Sequence, residues 1–483
     1  MGASMTSSLL PELAAFEAAI EGTVIVAGSP DYDLIRKPAW AQFEAVRPEV
    51  AVLCRVPADV AETIALARRL GMETVSRSGG HCFAGRSSTR GILIDVGPMR
   101  SVSVADGIAT VGAGAQLGEV YDRLEPLGLT IAAGACPSVG IAGLTLGGGL
   151  GILGRKYGLT SDQLVQTEVV LADGRVLECD ENRNADLFWA LRGAGGGQFG
   201  VVTSFAFRTV PADDVTCFKL VWPDVHAAGL IESWQEWAPS APDELAASLL
   251  LNASADLEPP VVTLFGAMLG AESETAGRLD ELIVRVGVDP TSAALEQMSH
   301  GAAKRYLAEH APGAERHDGT SPAEASRPSL MFSKSEFFRR PLPPEAIAAL
   351  VDTFAAGRVL GQARELDFTP WGGAYNRTRP EETAFAHRRE RFLLKHAVAL
   401  ESDASERERD ADRTWLTRSW ALVHEWGSGG VFPNFPDPDL TDWAHAYHGA
   451  NYDRLTGIKA SYDPDNAFRF HQSLPPASVN GDA

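Results

Sequence analysis

Five cysteines, Cys54, Cys82, Cys136, Cys179 and Cys217, are scattered through a chain of 483 residues. An odd number, widely spread and without CxxC spacing, fits neither a disulfide framework nor a zinc site, so one or two at most should carry chemistry. The setting of Cys136 is distinctive: residues 126–154 are 29 consecutive uncharged positions holding nine glycines and two prolines. Glycine and proline at that density do not make a stable membrane-spanning helix, for all the absence of charge. They make backbone that other atoms can approach closely, with N–H groups free to converge on the phosphates of a cofactor. A second loop, Arg77-Ser78-Gly79-Gly80-His81, adds an imidazole to such a backbone. No Walker loop is present, and the G-x-G in Gly147-Gly148-Gly149-Leu150-Gly151 lacks the strand-to-helix setting and the acidic residue about 20 positions on that a Rossmann fingerprint needs. A dinucleotide held here sits differently from one in a Rossmann fold.

The elements that must position these loops read as follows. Residues 50–56 are a strand, 58–70 an amphipathic helix opened by Pro57 and Asp59 and closed by Gly71, and 72–76 a strand. This β-α-β unit runs directly into the Arg77–His81 loop, at the end where such units bind ligands. Short strands at 92–96, 101–104 and 108–112 and a helix over 116–127 lead into the glycine stretch. Asp173-Gly174 between 165–171 and 175–178 signals a hairpin, and a short helix at 186–192 precedes a strand at 199–208. From about residue 211 glycine thins out. Strands at 218–222, 247–252, 261–269, 364–368 and 392–400 alternate with helices such as 274–286 and 403–425, the last with Ser402 as N-cap. This second part should be an antiparallel sheet with helices on one face, with 304–328 as a polar loop.

The two glycine loops, then Gly134-Ala135-Cys136-Pro137-Ser138-Val139-Gly140 and Arg155-Lys156-Tyr157-Gly158-Leu159, resemble the berberine bridge enzyme-like oxidases of the vanillyl-alcohol oxidase superfamily. So do residues 186–193 with Phe199-Gly200-Val201-Val202, and the tail Tyr447-His448-Gly449-Ala450-Asn451-Tyr452-Asp453-Arg454-Leu455 with Lys459 and 462–469. The match runs in order through nearly the whole chain and is loose over 215–360. It implies an α+β, two-domain vanillyl-alcohol-oxidase-type fold: an FAD-binding domain over 1–212, a substrate-binding domain over 213–439 with its antiparallel sheet, and a C-terminal segment, 440–483, returning to the first. It also implies FAD bound covalently twice, through His81 to the 8α carbon and through Cys136 to C6 of the flavin. Arg77, Ser78, Gly79, Gly80, Gly140, Gly143, Gly147, Gly148 and Val202 should line the FAD through backbone contacts, with Asn451 beside the ring. Cys82 is a packing residue. Val139 matches the position that governs oxygen access, where valine goes with oxidases.

Taking a hydride from a C–H bearing alcohol also needs a base for the hydroxyl proton, and a tyrosine, titrating at about 10 when unperturbed, serves only beside a charge-stabilising neighbour. The resemblance puts Tyr157 and Tyr447 in the catalytic role and Trp371 in the wall of the substrate pocket. Anchored on His387-Arg388, Leu394 falls where some relatives carry an acid or lysine. Neighbouring strand residues face opposite sides, so Lys395 and His396 cannot both face the flavin. His396 has the parity of the active face, and Lys395 needs a one-residue slip. The reaction expected is oxidation of a secondary alcohol or hemiacetal, in a sugar, a glycosylated natural product or an aromatic or allylic alcohol, with O2 reduced to H2O2. The alternative is an oxidative cyclase of natural-product biosynthesis.

Composition bounds the partners. Hydrophobic residues make up 45% and charged ones 22%, ordinary for a globular chain and incompatible with whole-chain disorder. A net charge of −21 repels nucleic acid and anionic membranes; a small-molecule substrate and O2 are the partners the resemblance implies. No metal is expected. Glu12 and Glu17 interrupt the apolar run at 9–20, so no secretory signal is read, and a cytoplasmic monomer or weak dimer is the expectation.

Overall fold

In the computed structural model, which describes residues 12–310 and 330–478, the first two hundred residues build two small sheets on one core. Strands β1 (Thr23–Val26), β2 (Val50–Leu53), β3 (Thr74–Arg77) and β4 (Ile92–Asp95) form a sheet in the order β1-β2-β4-β3. The helix Pro57–Leu70 links β2 to β3. The Asp59 carboxylate accepts the N–H groups of Arg55 (2.7 Å) and Val56 (3.3 Å) at its start, and Gly71, at φ 64°, ends it. Both β2 and β3 pair parallel with β4, so the β-α-β crossover brackets β4 and delivers the 77–81 loop to its end. Strands β5 (Val102–Ala105) and β6 (Ile108–Gly112) begin the second sheet. After β7 (Leu129–Thr130) come β8 (Leu164–Val170), β9 (Val176–Cys179) and β10 (Val201–Arg208), giving the antiparallel order β5-β6-β10-β8-β9. Gly174, at φ 87°, turns the β8–β9 hairpin as its Asp-Gly signal predicts. Val52, Ile94, Val111, Val170 and Phe205 share the core of both sheets, which the late helix Tyr452–Tyr462 joins through Leu455 and Ile458.

After β11 (Val210–Pro211), which pairs with β7, the chain builds a seven-stranded antiparallel sheet. Its strands are β12 (Val215–Pro223), β13 (Leu245–Ala253), β14 (Val261–Leu269), β15 (Ser292–Met298), β16 (Leu330–Phe338), β17 (Ala363–Pro370) and β18 (Phe392–Leu400), in the order β15-β12-β14-β13-β17-β18-β16. One face is covered by the helices Ala227–Trp237, Glu272–Val286, Pro344–Ala355 and Glu406–His424, whose Trp234, Leu279, Leu350 and Trp415 pack with Leu220, Leu264, Phe368, Phe392 and Leu394. The other face is turned to the glycine-rich loops. There Cys217, Phe265 and Ala267 pack with Ala135 and Tyr157, and Phe337 and Leu393 pack with Leu159 and Phe385. The register lays Thr263, Leu250, Asp367, Lys395 and Ser335 in one row straight across five strands on this second face.

Two local expectations change. The helix expected over 403–425 is Glu406–His424, capped by Ser405 instead of Ser402. Only Ser405 has a glutamate three residues on, and Glu408 returns a hydrogen bond to the Ser405 N–H at 2.7 Å. The polar loop expected over 304–328 begins as helix, His300–His310, because Ala303 and Leu307 find a partner face on β12 and β14; its remainder, 311–329, lies outside the described residues, as does the chain before residue 12. Among the described residues no helix is long and apolar enough to cross a membrane.

Candidate active site

The cradle is made of backbone. A Cβ on Gly79 would stand 2.3 Å from the Gly140 nitrogen, and one on Gly140 would stand 2.3 Å from the Gly79 nitrogen and Ser78 Oγ, so the two loops touch main chain to main chain. Gly148 and Gly149 take φ values of 111° and 84°. Asn434, which the sequence reading overlooked, fastens this loop from the far end of the chain. Its side-chain amide donates to Gly143 O at 2.9 Å and its carbonyl accepts Gly149 N–H at 3.1 Å. Gly143 itself faces open space, and the buried Thr145 Oγ between the glycines has no hydrogen-bond partner. A surface of bare N–H groups with an unspent hydroxyl suits the phosphates of a dinucleotide.

His81 and Cys136 meet across the two loops. The His81 Nε2 and Ser138 Oγ are 3.1 Å apart, and Ser138 Oγ lies 3.5 Å from the Cys136 Sγ, so one hydroxyl bridges the imidazole and the thiol. Trp40 holds the His81 carbonyl through its indole N–H at 3.1 Å and stacks on Phe83. Phe83 meets Phe435 edge-on at 5.8 Å, and Phe435 lies under the Lys395 ammonium at 5.4 Å. This chain of rings joins the imidazole to the polar row of the large sheet.

Several expected binding residues are committed elsewhere. Arg77 spends its guanidinium on the carbonyls of Ser87, Ile35 and Arg36, and Ser78 donates to Ala113 O at 2.7 Å, so both brace their own loop and only their backbone is left for a ligand. Asn451 donates to the carbonyls of Pro380 (2.8 Å), Thr383 and Ala384 and braces that turn. Gly80, at φ 73°, accepts from Ala39 N–H; Gly147 is filled by Asn434; Val202 is buried at the β10 bulge; Val139 is half-buried beside Cys136. Trp371 does not wall an open pocket. It is fully buried, stacked on Tyr375 at 4.3 Å and edge-on to Phe337 at 4.9 Å, and its carbonyl accepts from Arg155.

The titratable groups divide by face. Tyr157 packs beside Ala135 and Phe265 on the cradle side of the sheet, and burial, with Asp213 adding, raises its phenol above the ordinary value. Arg155 and Lys156, just before it, reach across to the carbonyls of Pro239 and Ala241 and to Glu244, pinning the tyrosine's turn to the segment that leads into the large sheet. Tyr447, expected beside the flavin, has its hydroxyl engaged within the tail. Its hydroxyl accepts the Asp437 N–H at 2.8 Å beside Asp437 O and Gln472 Oε1, and burial pushes it up to about 12. His396 is misplaced by the sequence reading: it points into the helical layer, with Nδ1 at 2.9 Å from Ser419 Oγ, because the apolar Phe392, Leu394 and Val398 of its parity all belong to that core. Lys395 therefore holds the cradle face, 2.8 Å from Glu365 and 3.7 Å from Asp367. Although burial works against its charge, the two carboxylates hold the ammonium above its usual range. Burial outweighs the lysine at Glu365 and raises that carboxyl. The Glu365–Lys395–Asp367 cluster has one signal in the sequence: Glu365 and Asp367 alternate with apolar residues in β17, and Lys395 is the one charged residue of β18.

Two family models match the chain: FAD binding domain over residues 48–180 and Berberine and berberine like over 431–475. An uncharacterized FAD-linked oxidoreductase of Bacillus subtilis, YgaK, is 31% identical over 472 residues, spanning 95% of this chain and 97% of the relative. Among solved structures, the berberine bridge enzyme of Eschscholzia californica matches with a TM-score of 0.85 at 26% identity, covering 97% of this chain and 99% of that one. A chitooligosaccharide oxidase matches with a TM-score of 0.83 at 25% identity, covering 96% and 99%.

Proposed function

The chain belongs to the berberine bridge enzyme-like FAD-linked oxidoreductases, and from that premise we propose that it is an oxidase that holds FAD through His81 and Cys136 and oxidises a secondary alcohol or hemiacetal. The observation that carries this reading is the charged cluster: Glu365, Asp367 and Lys395 stand on the sheet face turned to the cradle, with Lys395 one aromatic ring from the segment that fastens it. When bound, FAD supplies a hydride acceptor at N5, and O2 takes the electrons on to hydrogen peroxide. Burial acts alike on the phenol and on the carboxyl but with opposite consequences. Raised Tyr157 stays protonated at neutral pH and donates to the substrate oxygen. Glu365, raised by burial although Lys395 favours its charged form, takes the hydroxyl proton in its ionised state. Val139 leaves room beside Cys136 for O2. The cofactor side comprises 1–212 and the returning tail, and we start that tail at about 431, where the second family model begins, instead of 440. The chitooligosaccharide oxidase likeness supports including sugars among the substrates, beside glycosylated products and aromatic or allylic alcohols.

The test is a peroxide-coupled screen of purified protein over oligosaccharides and secondary alcohols, paired with acid precipitation. Peroxide formed with one carbonyl product per turnover and a yellow pellet are expected. Turnover that needs an artificial acceptor overturns the oxidase reading, and a colourless pellet overturns covalent FAD.

A further inference from the structure

The residues leading into Cys136 are held by a lysine from the other half of the molecule. Lys304, on the helix His300–His310, is buried to 3% exposure, and no carboxylate lies within ion-pair reach of it among the described residues. Its ammonium donates to Ala133 O at 2.6 Å and to the Tyr121 hydroxyl at 3.3 Å, and sits 4.6 Å over the Tyr121 ring. The Tyr121 hydroxyl in turn donates to Gly134 O at 2.5 Å. Two successive carbonyls, two and three residues before the thiol, are thus fixed by one side-chain pair, while Ala132 O accepts from Thr160 Oγ at 2.7 Å. Gly151 passes so close to Ala133 that a Cβ there would lie 2.4 Å from its carbonyl oxygen. A buried lysine paired only with carbonyls and a phenol is expensive to keep, and burial alone brings it down to about 7. Packing does not require it, since Ala303 and Leu307 already dock the helix on β12 and β14.

We propose that Lys304, through Ala133 and through Tyr121 to Gly134, is the positioning residue that sets the Cys136 sulfur for its bond to the flavin, in which the thiol S–H and the ring C6–H are replaced by the S–C6 bond and the two protons and two electrons released go to O2 as H2O2. The helix of the substrate side thereby controls the second tether but not the first. His81 sits on a different loop, braced by Arg77 and Trp40, and none of those contacts involves Lys304. The inference rests on the two-tether reading above.

Peptide mapping by mass spectrometry of proteolysed holoprotein separates the two claims. In the wild type the His81 and Cys136 peptides should be joined through one flavin; a flavin on His81 alone would sink the two-tether reading itself. With the wild type joined, Lys304→Met should keep flavin on His81 while the joined fraction falls at least about tenfold, the loss a misplacement of around 1 Å produces, and the freed Cys136 thiol becomes alkylatable. Tyr121→Phe, which keeps the ring and loses only the Gly134 bond, should give a smaller fall, and serves if Lys304→Met does not fold. Joined peptides at wild-type level in a folded Lys304→Met or in Tyr121→Phe, or equal loss of both tethers, overturn the proposal.

Discussion

The two walls of the candidate site are built on opposite principles. The cradle is glycine backbone closely approached by other backbone or by a fixed side chain, where a side chain at most positions would collide: Gly79 on Gly140, Gly147 on Asn434, Gly154 on the Tyr375 hydroxyl. The sheet face is side chains in register, Asp367 and Lys395 in one row and Glu365 in the next, each exposed by a fifth or less. At its glycine contacts a backbone wall tolerates no added atom. A side-chain wall tolerates substitution as long as parity is kept, and so can change chemistry without changing shape. A cofactor common to a family suits the first wall, and a substrate that varies within it suits the second.

The largest effect should come from adding one methyl to the cradle. Gly140→Ala puts a Cβ at 2.3 Å from two atoms of the 78–79 loop, although its φ of −74° is open to any residue, so the loops must part. We expect purified protein with almost no FAD and a folding loss on the order of 3 kcal/mol by thermal melting. Gly143→Ala is the matched control, since its Cβ meets no protein atom within 4 Å. The apoprotein should melt as the wild type does while FAD binding falls. If both variants lose FAD without losing stability, the backbone contact is not what holds the wall together.

Next in size is Glu365→Gln on the opposite wall. The expected fall in kcat is about 10²–10⁴-fold, with FAD content and melting nearly unchanged. The sign of the pH effect follows from the raised carboxyl: activity needs the ionised form, so the wild-type rate drops as pH falls through a value above the ordinary carboxylate range, and the Gln variant lacks that acid limb. A preserved limb with Glu365→Gln, lost instead in Tyr157→Phe, would move the base to the tyrosine.

The contrast also explains what the sequence disclosed. Residues 126–154 announced the cradle because avoidance of side chains is a compositional fact, visible without any partner. Cys136 lies inside that composition, but the roles expected of it and of His81 come from the family resemblance. Asn434 was not legible, because the glycines it fastens lie 285 and 291 residues away, and a lone asparagine in a loop carries no sign of them. On the sheet the strand at 392–400 was read to the residue, yet its facing was read backwards. Parity anchored on His387-Arg388 selected His396, whereas the apolar Phe392, Leu394 and Val398 had already chosen the helical side for every even position. Hydrophobic pattern within the strand was the better guide than spacing from a motif outside it. The same lesson applies to Trp371, expected in a pocket wall, whose four aromatic neighbours Phe337, Tyr375, Phe385 and Phe432 make it core.

Tyr447 gives the smallest and most discriminating test. Its motif is matched in the tail, but its hydroxyl turns toward Asp437 and Gln472, under the Arg86 guanidinium at 5.6 Å from the ring. Pushed up to about 12 by burial, it stays protonated at working pH, with its hydroxyl engaged by Asp437 and Gln472. Its work is mechanical: it ties Asp437, which Lys334 also holds at 2.7 Å, and so steadies the 431–437 segment that carries Asn434 and Phe435 to the cradle. Tyr447→Phe keeps the ring and leaves the Asp437 N–H unpaired, a loss of about 1–2 kcal/mol in stability with kcat within about twofold. Because Asn434 is downstream of that tie, the secondary effect should appear in FAD affinity of the apoprotein before it appears in turnover. A collapse of kcat at unchanged FAD content would mean that the tail contributes a reacting group, and that the substrate wall is not made by the sheet alone.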